Sequence, residues 1–145
     1  MPLEGEYVPS PTPHVVEQVR LYEATGGKKG YDLEGKPCVI LTTKGRKSGT
    51  LRKTPLMRVK RGERYAVVAS MGGAPKHPVW YLNLVHEPTV MLQDGPEVRD
   101  YTARTASDAE KAEWWPDAVE VWPPYEEYQQ KTGRNIPVVI LDPVG

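Results

Sequence analysis

The chain has 145 residues, 19 basic and 19 acidic side chains, 39% hydrophobic residues and a single cysteine. That length suits one domain whose core buries roughly two thirds of the surface without covalent staples. One cysteine excludes an internal disulfide, no apolar run approaches the ~20 residues of a membrane-spanning helix, and zero net charge suits a polyanion partner poorly. The N-terminus lacks the apolar segment of a signal peptide, so a soluble, cytoplasmic protein is expected.

Residues 1–11 are proline-rich and expected to be extended or loose. Thr12-Pro13 reads as an N-cap followed by proline at the first helical position. Val15, Val19 and Tyr22 then share one face of a short helix that Gly26-Gly27 ends. Pro37 to Thr43 is rich in β-branched residues and predicts a buried strand. Lys44 to Gly49 is a turn, residues 51–59 its partner strand, and Gly62 leads into a third strand, Arg64 to Ser70. Gly72, Gly73 and Pro75 form a loop, and Pro78 opens a helix to about His86. Thr89–Gln93 and Glu97–Arg104 make a hairpin across Asp94-Gly95. Ser107 to Glu110 is a capping box that starts a further helix, which Trp114-Trp115-Pro116 is expected to interrupt. Pro124 to Lys131 is a short helix stopped by Gly133, and Ile136 to Leu141 is the last strand. Six strands with tight connections predict an α+β, mainly β, architecture: a mostly antiparallel sheet that curls into a barrel with flanking helices. One domain is expected, with residues 1–35 as an N-terminal extension carrying the short helix and residues 36–145 as the barrel.

Charge is distributed unevenly. Lys44 to Arg64 holds nine of the 19 basic residues and one acid, Glu63. In a neutral chain this points to a discrete anionic ligand. Gly45 and Gly49 could turn backbone N–H groups toward an anion, with Ser48 adding a hydroxyl and Arg46, Lys47 and Arg52 adding charge-assisted hydrogen bonds. The alternative is a solvated hairpin tip. A second constellation, Val68 to Gly73, ends a strand in small residues and admits a flat ring, with Ser70 as a donor; an ordinary strand end fits equally. A third comprises Trp114, Trp115, Trp122, Tyr125 and Tyr128, rings that could wall a planar substrate or simply close the barrel as core. Cys38 lies in an apolar run and reads as a small core residue.

Several chemistries have no signature here. The chain contains no G-x-G-x-x-G, P-loop or G-x-S-x-G pattern. His14, His77 and His86 lie on separate elements without ligand spacing, so no metal is expected. A nucleic-acid binder would want aromatics among its basic residues, and Lys44 to Arg64 contains none.

Longer strings carry a more specific signal. Leu41-Thr42-Thr43-Lys44-Gly45-Arg46-Lys47-Ser48-Gly49 with Arg52 and Thr54-Pro55-Leu56, then Ala69 to Leu84, Trp122 to Tyr128, and Arg134 to Val138 together resemble the deazaflavin-dependent nitroreductase and quinone reductase family. The resemblance covers roughly residues 36–142. It implies a split β-barrel like that of FMN-binding oxidases, and coenzyme F420, a deazaflavin with a phosphate and a polyglutamate tail. Carried over by position, Arg46, Lys47, Ser48 and Arg52 resemble the tail and phosphate contacts, and Lys53, Thr54 and Pro55 line the same cleft. Val68, Ala69, Ser70 and Met71 would run along the ring. Val79, Trp80, Tyr81, Leu82 and Asn83 would close its other side. Ser70, Tyr125 and Tyr128 resemble active-site residues, and Trp122 joins Tyr125 and Tyr128 in the substrate pocket. Met71 and Trp122 replace a lysine and a tyrosine of the family's best-known member. The implied reaction is hydride transfer from reduced deazaflavin to a quinone-like or nitroaromatic acceptor. The other readings are an FMN enzyme on the same barrel and a non-catalytic deazaflavin carrier. The implied partners are a small-molecule acceptor, no nucleic acid, and at most peripheral membrane contact. Barrels of this kind also pair as homodimers, although no exposed apolar strip demands it here.

Overall fold

The computed structural model describes residues 4–144. It is built from α1 (Pro13–Thr25), β1 (Asp32–Leu33), β2 (Lys36–Lys44), β3 (Leu51–Met57), β4 (Val59–Arg61), β5 (Arg64–Val68), α2 (Val79–His86), β6 (Thr89–Asp94), β7 (Glu97–Thr105), α3 (Asp108–Val121), α4 (Pro124–Lys131) and β8 (Val138–Pro143), with a single 3-10 turn at Met71–Gly73. The strands pair antiparallel in the order β1-β2-β6-β7-β8-β5-β4, with β3 also on β2. β3 and β4 are one stretch of chain separated by Arg58. Its first half pairs with β2 (Ile40 opposite Pro55), and its second half pairs with β5 (Val59 opposite Ala66). The bend at Arg58 therefore closes the sheet into a mainly antiparallel split barrel. The Arg58 amide bonds the Pro37 carbonyl, and its guanidinium spans both oxygens of Asp94.

Eight strands stand where six were expected. One predicted strand is divided by the Arg58 bend, and β1 is too short to show a two-residue period. The predicted break in α3 is also absent. The helix runs through Pro116, with Trp114 and Ala118 buried on its inner side. Proline removes the amide that would bond the Ala112 carbonyl, but both residues are exposed, so water can serve that oxygen. The capping box at Ser107 and Glu110 forms as predicted.

The strands read as continuous apolar runs because both faces are covered. On β5 and β8, Tyr65, Val67, Val139 and Leu141 fill the barrel interior, where α2 closes one end with Trp80 and Leu84. Their neighbours Ala66, Val68, Val138 and Ile140 pack beneath α3 and α4. α1 lies on the outer side of β2, with Val19 and Tyr22 against Cys38 and Ile40. The Tyr22 hydroxyl donates to the Cys38 carbonyl and accepts from the Gly95 amide, which ties α1 to the β6–β7 turn. Burial pushes the Cys38 thiol up to about 12, so it behaves as a small hydrophobe. The extended segment ahead of α1 makes a parallel bridge from Tyr7 to Leu51. Among the described residues, no helix is long and apolar enough to cross a membrane.

Candidate active site

A groove runs along one side of the barrel through three adjoining cavities. The first, about 280 Å³, lies at the turn after β2 and is lined by Arg46, Lys47, Ser48, Arg52, Val79 and Asn83. The second, about 210 Å³, shares Arg52, Val79 and Asn83 with it and adds Lys53, Thr54 and Trp80. The third, about 310 Å³, shares Trp80 and is lined by Val68, Ser70, Met71, Trp122, Tyr125 and Tyr128 among others. One end is cationic and the other aromatic, and both open to solvent.

At the cationic end, the turn is closed by its own backbone. The Gly45 amide bonds the Thr50 carbonyl at 2.7 Å, and the Gly49 amide bonds the Gly45 carbonyl at 2.9 Å. The Ser48 hydroxyl bonds Thr50 Oγ1 at 2.7 Å. The Gly45, Gly49 and Arg46 amides are thus engaged within the protein, whereas those of Lys47 and Ser48 donate to no described residue. Side-chain cations remain: among the described residues Arg46, Lys47 and Arg52 have no acidic partner within ion-pair distance. Lys53 is different, since it pairs with Glu23 and lies 4.8 Å from the Tyr7 ring centre. Asn83 is 3% exposed and already engaged. Its Oδ1 accepts from the Arg46 amide at 3.2 Å and its Nδ2 donates to Thr43 Oγ1, so it fastens α2 to the cationic turn.

Helical geometry divides the predicted run 79–83. Successive residues turn by ~100°, so positions i, i+1 and i+4 can face the groove while those between turn away. Val79, Trp80 and Asn83 line it; Tyr81 and Leu82 do not. Tyr81 instead bonds Thr105 Oγ1 at 2.9 Å and stacks obliquely on His77. The strand alternates likewise: Val68 and Ser70 line the aromatic cavity, while Ala69 is 0% exposed and belongs to the interior. Pro55 is buried in β3 and lines none of the three cavities.

At the aromatic end, Tyr125 and Tyr128 meet edge-on with ring centres 6.3 Å apart. Trp122 Nε1 donates to the Tyr128 hydroxyl at 3.4 Å. Tyr125 is 6% exposed, and burial, with Tyr128 adding to it, pushes its phenol well above the usual tyrosine range. No described residue hydrogen-bonds that hydroxyl or the Ser70 hydroxyl, so both are left for whatever occupies the cavity. The loop carrying Ser70 sits directly on α4. A Cβ at Gly73, whose φ is +81°, would lie 3.1 Å from the Tyr128 Cα, so only glycine permits this approach.

Arg134 was not anticipated as a site residue. Its Nη1 donates to the Ala69 carbonyl at 3.0 Å, its Nη2 to the Ser70 carbonyl at 2.7 Å, and its Nε to the Ala74 carbonyl at 2.9 Å; Nη1 also meets His77 Nδ1 at 3.0 Å. One guanidinium thus holds the whole Ser70–Ala74 loop. It stands 64 residues from Ser70 in sequence; the Arg134–Val138 string carried part of the family resemblance, but nothing in it assigned Arg134 a role.

A closed antiparallel barrel with a groove leading from unpaired cations to an aromatic pocket defines a split-barrel protein. The family model of F420H(2)-dependent quinone reductases matches residues 14–143, and the chain belongs to that family of F420-using oxidoreductases. It is similar to an F420H(2)-dependent quinone reductase of Mycobacterium tuberculosis, 35% identical over 130 residues that cover 83% of this chain and 84% of the relative. Among solved structures it resembles an F420-H2 dependent reductase, FDR-A, at 54% identity and a TM-score of 0.69, covering 73% of this chain and 94% of that one. It also resembles a chain described as a domain-swapped dimer, at 49% identity and a TM-score of 0.73, covering 87% and 92%.

Proposed function

We propose that this protein reduces quinone-like acceptors at the aromatic end of the groove, with F420 lying along it and its acidic tail at Arg46, Lys47 and Arg52. The observation that carries this is the continuity of the groove: unpaired cations at one end, two unbonded hydroxyls at the other, and Trp80 between them. Bound in its reduced state, F420 supplies a hydride. A quinone that takes up that hydride and one proton becomes a hydroquinone, so the protein must exclude water, orient the carbonyl and manage the proton.

Tyr125 is suited to orientation. Its raised pKa keeps the phenol protonated at neutral pH, so it donates a hydrogen bond to the acceptor oxygen and gives up its proton reluctantly. Ser70, held by the Arg134 clamp on the loop packed against α4, can bond the ring or the acceptor. Tyr128, bonded to Trp122, sets the position of the Tyr125 ring edge.

The direct experiment mixes purified protein with reduced F420 and a panel of quinones and follows deazaflavin absorbance; no oxidation with any quinone would remove the proposal. Tyr125→Phe is expected to lower kcat/KM about 10-fold, the loss of one hydrogen bond to the transition state. Unchanged turnover would end the role assigned to Tyr125. The domain-swapped dimer formed by a similar chain supports pairing as a homodimer, and sedimentation equilibrium should give twice the 16.3 kDa chain mass.

A further inference from the structure

Charge at the acceptor pocket is unexpectedly simple. Among the residues lining the aromatic cavity, the one charged side chain is Glu34. The rest are aliphatic, aromatic, hydroxylic or glycine, and none is basic. Glu34 sits in the turn between β1 and β2, outside the segments that identify the cofactor groove. Among the described residues it has no hydrogen-bond or ion-pair partner, so its charge is not neutralised within the protein. The cations that would draw in an anion lie at the other end of the groove.

The backbone places two side chains on the cavity rim. Glu34 (φ 53°) and Met71 (φ 47°) are the two non-glycine residues with positive φ among the described residues, and both line this cavity. At Glu34 the left-handed backbone belongs to the two-residue Glu34-Gly35 hairpin turn, which requires positive φ at both positions and so fixes where the carboxylate leaves the chain. Glycine would adopt either conformation freely. The pocket is thus bordered by an acidic lip from the β1–β2 turn and an apolar lip, 56% exposed, from the loop after β5.

We propose that Glu34 sets the charge specificity of the acceptor site: the cavity takes planar acceptors without acidic groups, and the Glu34 carboxylate turns away anionic ones. This rests on the acceptor being reduced at that cavity. An uncharged quinone loses little beside a carboxylate and gains the aromatic and aliphatic walls. A sulfonated quinone of the same ring meets one negative charge and no compensating cation, a penalty that salt screens.

The test compares an uncharged naphthoquinone with its sulfonate, using protein saturated with reduced F420 at low ionic strength. The ratio of kcat/KM for the sulfonate to that for the uncharged quinone should rise about 5-fold in Glu34→Gln and about 20-fold in Glu34→Lys, and both gains should shrink as salt approaches molar concentrations. A residue that acted only on folding would move both acceptors together and leave the ratio fixed. Ratios unchanged in both variants overturn the proposal. Should the wild-type protein oxidise reduced F420 with neither quinone, the proposed reaction fails by itself. Quenching of tryptophan fluorescence by the two quinones then still reports the preference, and equal binding of the sulfonate to wild type and Glu34→Lys overturns it.

Discussion

Replacing Arg46, Lys47 and Arg52 together with alanine is expected to weaken F420 binding about 100-fold while leaving the fold intact. The three side chains line one cavity and lack acidic partners, so removing them uncovers no buried charge. An exposed charge-assisted contact contributes on the order of 1 kcal/mol, and three of them about 3 kcal/mol. The turn itself survives, because its backbone bonds and the Asn83 tether do not involve those side chains. Two signatures separate this from general damage. Binding by the wild-type protein should weaken with salt, and the variant should lose that dependence. A deazaflavin lacking phosphate and glutamates should bind both proteins alike. Fluorescence titration measures all of these, and equal F420 affinity in the two proteins would refute the assignment. Lys53→Ala should matter less to F420, since Glu23 already holds that ammonium.

The second large effect is expected from Arg134. Replacing it with methionine removes three hydrogen bonds to loop carbonyls, of which Ser70 keeps the Gly73 amide and Ala74 the Thr132 hydroxyl, at a cost of about 3 kcal/mol. For a chain of this size that corresponds to a fall of roughly 10 °C in Tm. Turnover should fall further than stability predicts, because Ser70 rides on the freed loop. A variant with unaltered Tm and turnover would show that the clamp is dispensable. The clamp also carries a pH dependence. An arginine N–H can only donate, so the His77 nitrogen facing it must hold a lone pair, and the imidazole must be neutral. Burial and the Arg134 charge both lower its pKa. The folded state therefore binds the proton less readily than the unfolded chain. The contribution is complete above the ordinary histidine value of ~6.5 and is lost as pH falls from there through the lowered value. Thermal stability should decline between pH 7 and pH 5, and His77→Asn, which keeps an acceptor but cannot titrate, should flatten that decline.

Much of this architecture was legible from local chemistry. Pro13, Gly26, Ser107 with Glu110, and Pro124 mark helix ends through the torsions and hydrogen bonds of the few residues beside them. The basic turn, the Ser70 loop and the tyrosines of α4 were legible for the same reason, as runs of residues with one chemistry. What escaped was anything requiring two distant segments. The bend at Arg58 depends on Pro37 and Asp94, and α3 continues through Pro116 because Trp114 and Ala118 pack against the sheet. Which backbone amides of the cationic turn are already spent also depended on contacts with Thr50 and the distant Asn83.

By itself, the order of residues determined which elements form, where the positive charge gathers and which aromatics share a helix face, since those follow from torsional preference and periodicity within a few residues. The family resemblance implied that the cationic turn and the aromatic pocket share one cleft, but tertiary structure alone decided which residues of each segment face it, that Arg134 holds the loop beside Tyr125, and that Glu34 lines the pocket. Each of these is a through-space relation set by how the barrel closes, and sequence separation carries no information about it.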